Sequence, residues 1–172
     1  MNETLKTLKT RYSSRKYLDR QVPDTLLDAV LEAGIYAPTG MNNQNAVCVA
    51  VRDKQTRDLL SRLNAQVMGA DNDPFYGAPC VIVVLSDPER STWVEDGSLV
   101  MGNLLNAAAS LGLGSCWIHR AREVFDTPEG KALLQKWGLP EQLRGIGNCI
   151  LGYADDENPG KPRKDGRILK VD

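Results

Sequence analysis

Cys80-Val81-Ile82-Val83-Val84-Leu85, then Trp93 to Leu111 (WVEDGSLVMGNLLNAAASL), then Ser115-Cys116-Trp117-Ile118, read in order as strand, helix and strand. The first run is short, continuous and β-branched, which suits a strand buried on both faces. The second places Leu99, Val100, Asn103, Leu104, Ala107 and Ala108 along one helical stripe. Its small residues, Gly102, Ala107, Ala108 and Ala109, permit close helix packing, within the chain or across a dimer. Upstream, Leu26, Leu27, Val30, Leu31 and Ile35 recur at helical spacing between Pro23-Asp24 and Pro38, so residues 24–36 form a helix. Ala46 to Val51 repeats the pattern of a buried strand, and Asp53 caps an amphipathic helix that runs to about Leu63. Downstream, Thr127-Pro128-Glu129 starts a helix, Ile146 to Tyr153 is a fourth strand, and Asp155 to Arg163 is loop or tail. Strands separated by helices indicate a layered α/β domain; the leading helices and a possible strand at Arg167 to Val171 leave α+β open.

At 172 residues and 42% hydrophobic, the chain fits one compact domain spanning residues 1–172. A formal net charge of -1 gives no global attraction to nucleic acid or an anionic membrane, so any phosphate recognition is local. No apolar run approaches a membrane span, and Met1 to Lys6 lacks a signal peptide's apolar core, so the expected compartment is the cytoplasm. Cys48, Cys80, Cys116 and Cys149 are widely spaced within apolar stretches and read as buried free thiols. His119 is the only histidine, which argues against a metal site or a nucleophile–histidine pair.

Four clusters carry possible chemistry. Arg11-Tyr12-Ser13-Ser14-Arg15-Lys16 places two guanidinium groups around a hydroxyl, a set that suits a phosphate; the same run also reads as a solvated basic turn. Ala37-Pro38-Thr39-Gly40-Met41-Asn42-Asn43-Gln44 can present donors and acceptors to a polar heterocycle, or simply join helix to strand. Leu111-Gly112-Leu113-Gly114 is not a dinucleotide fingerprint, because Trp117 stands where the third glycine belongs; Gly112 and Gly114 are expected to end the helix in left-handed conformations. Lys161-Pro162-Arg163-Lys164 is an ordinary charged tail, or the closing side of a phosphate cage.

Taken together, these clusters resemble the nitroreductase family of FMN enzymes. Arg11-x-Ser13-x-Arg15 is similar to the family's RxSxR motif, and Ala37-Pro38-Thr39 with Asn42-x-Gln44 resembles its APSxxNxQ segment. Gly112-Leu113-Gly114 through Ile118 is similar to its GLGxxxI turn, and Gly152-Tyr153 followed by Lys161-Pro162-Arg163 to its GYP and KxR close. The resemblance implies an α+β three-layer fold with a mixed, mainly antiparallel sheet flanked by helices. It further implies an entwined homodimer with FMN at the interface and residues 155–172 packed on the partner. By the same resemblance, Arg11, Tyr12, Ser13, Lys161 and Arg163 hold the phosphate and ribityl end, and Arg15 approaches the N1/O2 edge. Pro38, Thr39, Gly40, Asn42 and Gln44 contact the flavin from the other subunit, Trp117, Ile118 and Arg120 also bind the cofactor, and His119 offers its backbone amide to N5.

The activity so implied is NAD(P)H-dependent reduction of nitro compounds, quinones or another small electron-poor acceptor, by a ping-pong mechanism with no catalytic side chain. The alternatives are a specialised flavin reductase or dehalogenase of the same fold, or a non-catalytic flavin-binding domain. Asn45-Ala46 replaces the family's usual Pro-Trp, and His119-Arg120 replaces a smaller pair, adding bulk and positive charge near the flavin.

Overall fold

The computed structural model describes residues 1–158 and 160–171. Among the described residues, six α-helices and four strands follow in the order α1 (Glu3–Thr10), α2 (Asp24–Ile35), β1 (Ala46–Val51), α3 (Lys54–Met68), β2 (Cys80–Ser86), α4 (Trp93–Ser110), β3 (Gly114–Ile118), α5 (Ala121–Phe125), α6 (Pro128–Lys136) and β4 (Arg144–Gly152). The four strands form one sheet in the order β1-β2-β4-β3. All three ladders are antiparallel. A parallel element enters through the chain before α2, where Ser13 bridges Ser115 on β3.

Alternation along β2 divides the core in two. Val81, Val83 and Leu85 face a cluster with Leu60 and Leu63 of α3, Val124 and Phe125 of α5, and Leu133 and Leu134 of α6. Cys80, Ile82 and Val84 face Leu27 and Val30 of α2 and Val100, Met101 and Leu104 of α4. Helices therefore cover both faces of the sheet, and every residue of β2 is buried. This is the α+β reading, in three layers.

The helix starts follow from local chemistry. Asp53 accepts from the Thr56 amide at 2.8 Å and its hydroxyl at 2.6 Å, and Thr127 accepts from the Gly130 amide at 3.1 Å with Pro128 at the first helical position. Helix α3 continues past Leu63 to Met68, because Leu63 and Ala65 still meet the core, and Gly69 ends it at φ 69°. Asn103, in the stripe of α4, donates to the Ala33 carbonyl of α2 at 2.9 Å.

Several expectations are corrected. Strand β1 is only half-buried along most of its length, because it is a sheet edge paired with β2 alone. Leu99 leaves the buried stripe of α4 and is exposed. Arg167 to Val171 is exposed and pairs with no strand in this chain, so it is not a strand here. Gly112 does end α4 in the left-handed region at φ 74°, but Gly114 does not; it opens β3. The constraint at Gly114 is space, since a Cβ there would stand 2.8 Å from the Ala154 Cβ and 3.0 Å from the Ser14 Cβ.

Candidate active site

The basic cluster near the N-terminus sits on the edge of β3. Helix α1 ends as the Arg11 amide bonds the Thr7 carbonyl at 2.9 Å, and the chain then runs extended beside β3. The Ser14 amide donates to the Ser115 carbonyl at 3.1 Å, and the Leu18 amide to the Tyr153 carbonyl at 2.9 Å. An extended chain turns alternate side chains to opposite sides. Ser14 is accordingly buried, while Ser13 and Arg15 lie on the more open side with Arg11.

Asp156 locks this segment, a role with no signal in the sequence beyond an acidic residue in a polar stretch. Its carboxylate accepts from the Ser14 hydroxyl and, at 2.9 Å, from the Arg15 amide. Its backbone carbonyl accepts from the Tyr12 hydroxyl at 2.6 Å. Lys16 pairs with Asp155 at 2.7 Å. These contacts occupy Ser14 and Lys16 and leave Arg11 different. Nη1 of Arg11 is buried without a hydrogen-bond partner, and the residue borders a cavity of ≈ 350 Å³ with Thr7, Tyr12, Gly114 and Ser115. A buried guanidinium nitrogen without a partner is unfavourable by itself, and a phosphate oxygen satisfies it in the strongest available way.

The Pro38–Gln44 loop lies elsewhere. It enters β1, whereas Arg11 to Arg15 line β3, and β1 and β3 are opposite edges of the sheet. Two intervening strands separate them by roughly 14 Å at the usual strand spacing, so one chain does not bring the two clusters together. The loop is strained and tied down. Met41, Asn42 and Gln44 have φ of 53°, 54° and 50°, left-handed values that disfavour side chains. Thr39 Oγ1 accepts from the Gln44 amide at 3.0 Å, Gln44 Nε2 donates to Asn42 Oδ1 at 3.1 Å, and the Gly40 amide donates to Asp96 Oδ1 at 2.8 Å. Asp96, buried in the first turn of α4, was hidden in the sequence because an acidic residue there reads as an ordinary response to the helix dipole. Both polar side-chain atoms of Asn45 are buried and unpartnered.

The end of β3 forms the third part. The Trp117 indole packs against β4, where Gly147 leaves room: a Cβ at Gly147 would stand 2.4 Å from its Nε1. Ile118 is buried, His119 exposed and Arg120 half-buried. The His119 carbonyl accepts from Asn64 Nδ2 on α3 at 2.7 Å. Arg122 stacks 4.8 Å from the Trp93 ring centre, with Arg144 on the same ring at 5.7 Å. Lys161 and Arg163 are exposed and make no ion pair or hydrogen bond with the described residues, so this chain alone does not bring them to Arg11.

Arg120 is the cap residue before α5 at φ 74°. A left-handed L-residue is unfavourable by about 1–2 kcal/mol, and glycine's extra freedom in the unfolded chain offsets about 0.4–1 of that. Arg120→Gly is therefore expected to stabilise the fold by about 0.5–1 kcal/mol, read as a shifted urea midpoint at unchanged slope. An unchanged or lowered midpoint would mean that the guanidinium packs well enough to outweigh the backbone.

The cysteines take no part in the chemistry as nucleophiles. Burial pushes the Cys48 thiol up to about 11 and Cys80 to about 12, and raises Cys116 and Cys149 as well, so all four are protonated at neutral pH. Cys48 is half-buried, the others fully. No helix among the described residues is long and apolar enough to cross a membrane.

Comparison with known proteins agrees with this geometry. The sequence profile of the nitroreductase family matches residues 8–153. A chain of Archaeoglobus fulgidus, provisionally named NADH dehydrogenase/NAD(P)H nitroreductase, is 36% identical over 163 residues, covering 91% of this chain and 88% of the other. The Bacillus subtilis protein named FMN reductase [NAD(P)H] is 28% identical over 180 residues, covering 95% and 70%. The crystal structure of a Bacteroides fragilis nitroreductase with bound FMN superposes with a TM-score of 0.92 at 32% identity, over 100% of both chains. With the fold, the β3-edge motif and the family profile in agreement, the chain belongs to the nitroreductase family.

Proposed function

We propose that this protein is an FMN-dependent oxidoreductase of the cytoplasm that takes reducing equivalents from NAD(P)H and passes them to nitro compounds, quinones or a similar small electron-poor acceptor. The observation that carries the reading is the buried, unpartnered Nη1 of Arg11 beside Ser13 on the edge of β3. Arg11, Tyr12 and Ser13 bind the cofactor's phosphate and ribityl end, joined by Lys161 and Arg163, and Arg15 places a positive charge at the pyrimidine edge. Trp117, Ile118, His119 and Arg120 line the reactive edge, with the His119 amide donating to N5. Bound FMN supplies the redox chemistry. The protein's part is to fix the cofactor's orientation and to offer donors where negative charge develops.

The site is completed by a second copy of the chain. Pro38, Thr39, Gly40, Asn42 and Gln44 lie too far from Arg11 to serve the same cofactor within one chain, and so serve the partner's. Exposed apolar residues support this association: Leu5, Leu8, Ile35 and Leu99 on α1, α2 and α4, and Tyr36 just after α2, are each about half exposed or more. Ile168, Leu169 and Val171 are each more than 85% exposed. Residues 155–172 accordingly extend onto the partner, although Pro159 and Asp172 of that tail lie outside the described residues. The dimer is expected to sediment at about twice the chain mass of 18.9 kDa. Steady-state kinetics test the mechanism. Because donor and acceptor use one face of the cofactor in turn, double-reciprocal plots at several acceptor concentrations are expected to be parallel; lines that intersect would contradict the ping-pong order.

A further inference from the structure

We propose that Asn64 is a positioning residue for the His119–Arg120 turn; this rests on the reading that the His119 amide of that turn faces the flavin. Asn64 is 0% exposed, on the face of α3 that packs into the core beside Leu60 and Leu63. A buried amide is unfavourable unless its polar atoms are bonded. Here only half of it is bonded: Nδ2 donates to the His119 carbonyl at 2.7 Å, and Oδ1 is buried without a partner. An apolar side chain of similar size would fill the same space without the orphan acceptor. What asparagine adds is one donor, aimed at one carbonyl of the turn.

That carbonyl belongs to the peptide unit whose N–H is Arg120's. In a trans peptide the C=O and N–H point in opposite directions, so holding the His119 carbonyl against α3 turns the Arg120 N–H outward, away from the core. Asn148 on β4, also buried, donates to the preceding carbonyl, Ile118, at 3.5 Å, near the outer limit for a hydrogen bond. The His119 N–H, in that second peptide unit, is turned away from Asn148 in the same manner. Two buried side-chain amides thus fix two successive peptide planes next to a residue held at φ 74°. The Asn64 bond is the shorter of the two and holds the left-handed turn against relaxation. A donor that must meet an atom of a flat ring needs its direction fixed before the ligand arrives.

The test is Asn64→Leu, which keeps the number and branching of the side-chain heavy atoms and removes both the donor and the orphan acceptor. In the FMN-free protein, hydrogen exchange at Val124, whose amide donates to the Arg120 carbonyl of the turn at 3.0 Å, is expected to quicken by about tenfold while exchange in β2 is unchanged. In the FMN-loaded protein, the flavin absorption bands are expected to move toward those of free FMN. The rate constant for reduction by NAD(P)H falls by about tenfold, the equivalent of one well-placed hydrogen bond, with KM within about twofold of the parent. Asn64→Gln, which keeps a donor, restores part of the rate; Asn64→Ser, too short to reach, repeats the Leu result if the Leu variant does not fold. Unchanged exchange at Val124, or a flavin spectrum and reduction rate equal to the parent's despite a lowered Tm, would reduce Asn64 to a core residue and overturn the proposal. Failure of the parent chain to bind FMN would instead sink the cofactor reading, and the exchange measurement would still decide whether Asn64 holds the turn.

Discussion

Arg11→Ala is expected to weaken FMN binding by about 10- to 100-fold. Nη1 of Arg11 is buried beside a cavity with no acceptor from the protein. A charge-assisted hydrogen bond to a phosphate contributes about 1.5–3 kcal/mol, and each 1.4 kcal/mol is tenfold in affinity. Because Arg11 bonds nothing through that nitrogen in the free protein, removing it leaves no newly orphaned group, and thermal stability without FMN should stay the same or rise slightly. This separates a ligand-binding arginine from a structural one. Fluorescence titration of FMN against the variant gives the result directly; an unchanged affinity would mean that the phosphate lies elsewhere.

The second large effect is structural. Asp73→Ala is expected to destabilise the fold by about 3 kcal/mol, because it removes the closer of the two carboxylates on the nearly buried Arg57 guanidinium, leaving only the more exposed Asp58 at 3.2 Å. Arg57, its side chain 10% exposed, donates to Asp73 at 2.6 Å and to the Ala78 carbonyl at 3.0 Å. Asp73 also accepts from the Ser61 hydroxyl at 2.5 Å and from the amides of Phe75 at 2.9 Å and Gly77 at 2.7 Å. One carboxylate thereby shapes the whole connection from α3 to β2. Burial works against its charge, but the bonds from Arg57, Ser61, Gly77 and Phe75 together hold its carboxyl below the usual range. A carboxyl depressed in the folded state contributes stability that is fully present above the unfolded-state value of 3.8 and is lost as pH falls through the lower folded value. The parent should therefore lose stability as the pH drops below about 4, and Asp73→Ala should lose less over the same interval. Urea unfolding at neutral pH and at pH 3.5 measures both; equal losses in parent and variant would contradict the assignment.

Local pattern made the elements readable where it was strong. The unbroken Cys80–Leu85 run suited a strand buried on both faces, as β2 is, and Asp53 and Thr127 announced their helices by the bonds such residues make. What the pattern could not carry was partnership at a distance. The antiparallel order β1-β2-β4-β3 depends on pairings such as Val81 with Ile150, which leave no mark on either segment alone. Helix α5, at five residues, is too short for a period to appear. Gly114 was assigned a backbone role because it lies two residues after a helix-ending glycine, yet its neighbours Ser14 and Ala154 come from distant parts of the chain.

The candidate site divides in the same way. Arg11, Ser13 and Arg15 could be proposed from the sequence because two arginines four residues apart flank a hydroxyl. Asp156, Asp96 and Asn64 were not, since each acts by holding backbone far away in sequence. Lys161 and Arg163 were legible as a motif, but the single chain leaves them exposed.

The most direct test of the account is an absorption spectrum of the purified protein with FMN, recorded anaerobically before and after NADH or NADPH is added. The account predicts flavin that stays with the protein through gel filtration and loses its visible bands on addition of at least one of the two nucleotides. Flavin that separates from the protein, or that remains with it and keeps its colour in the presence of both, would contradict it.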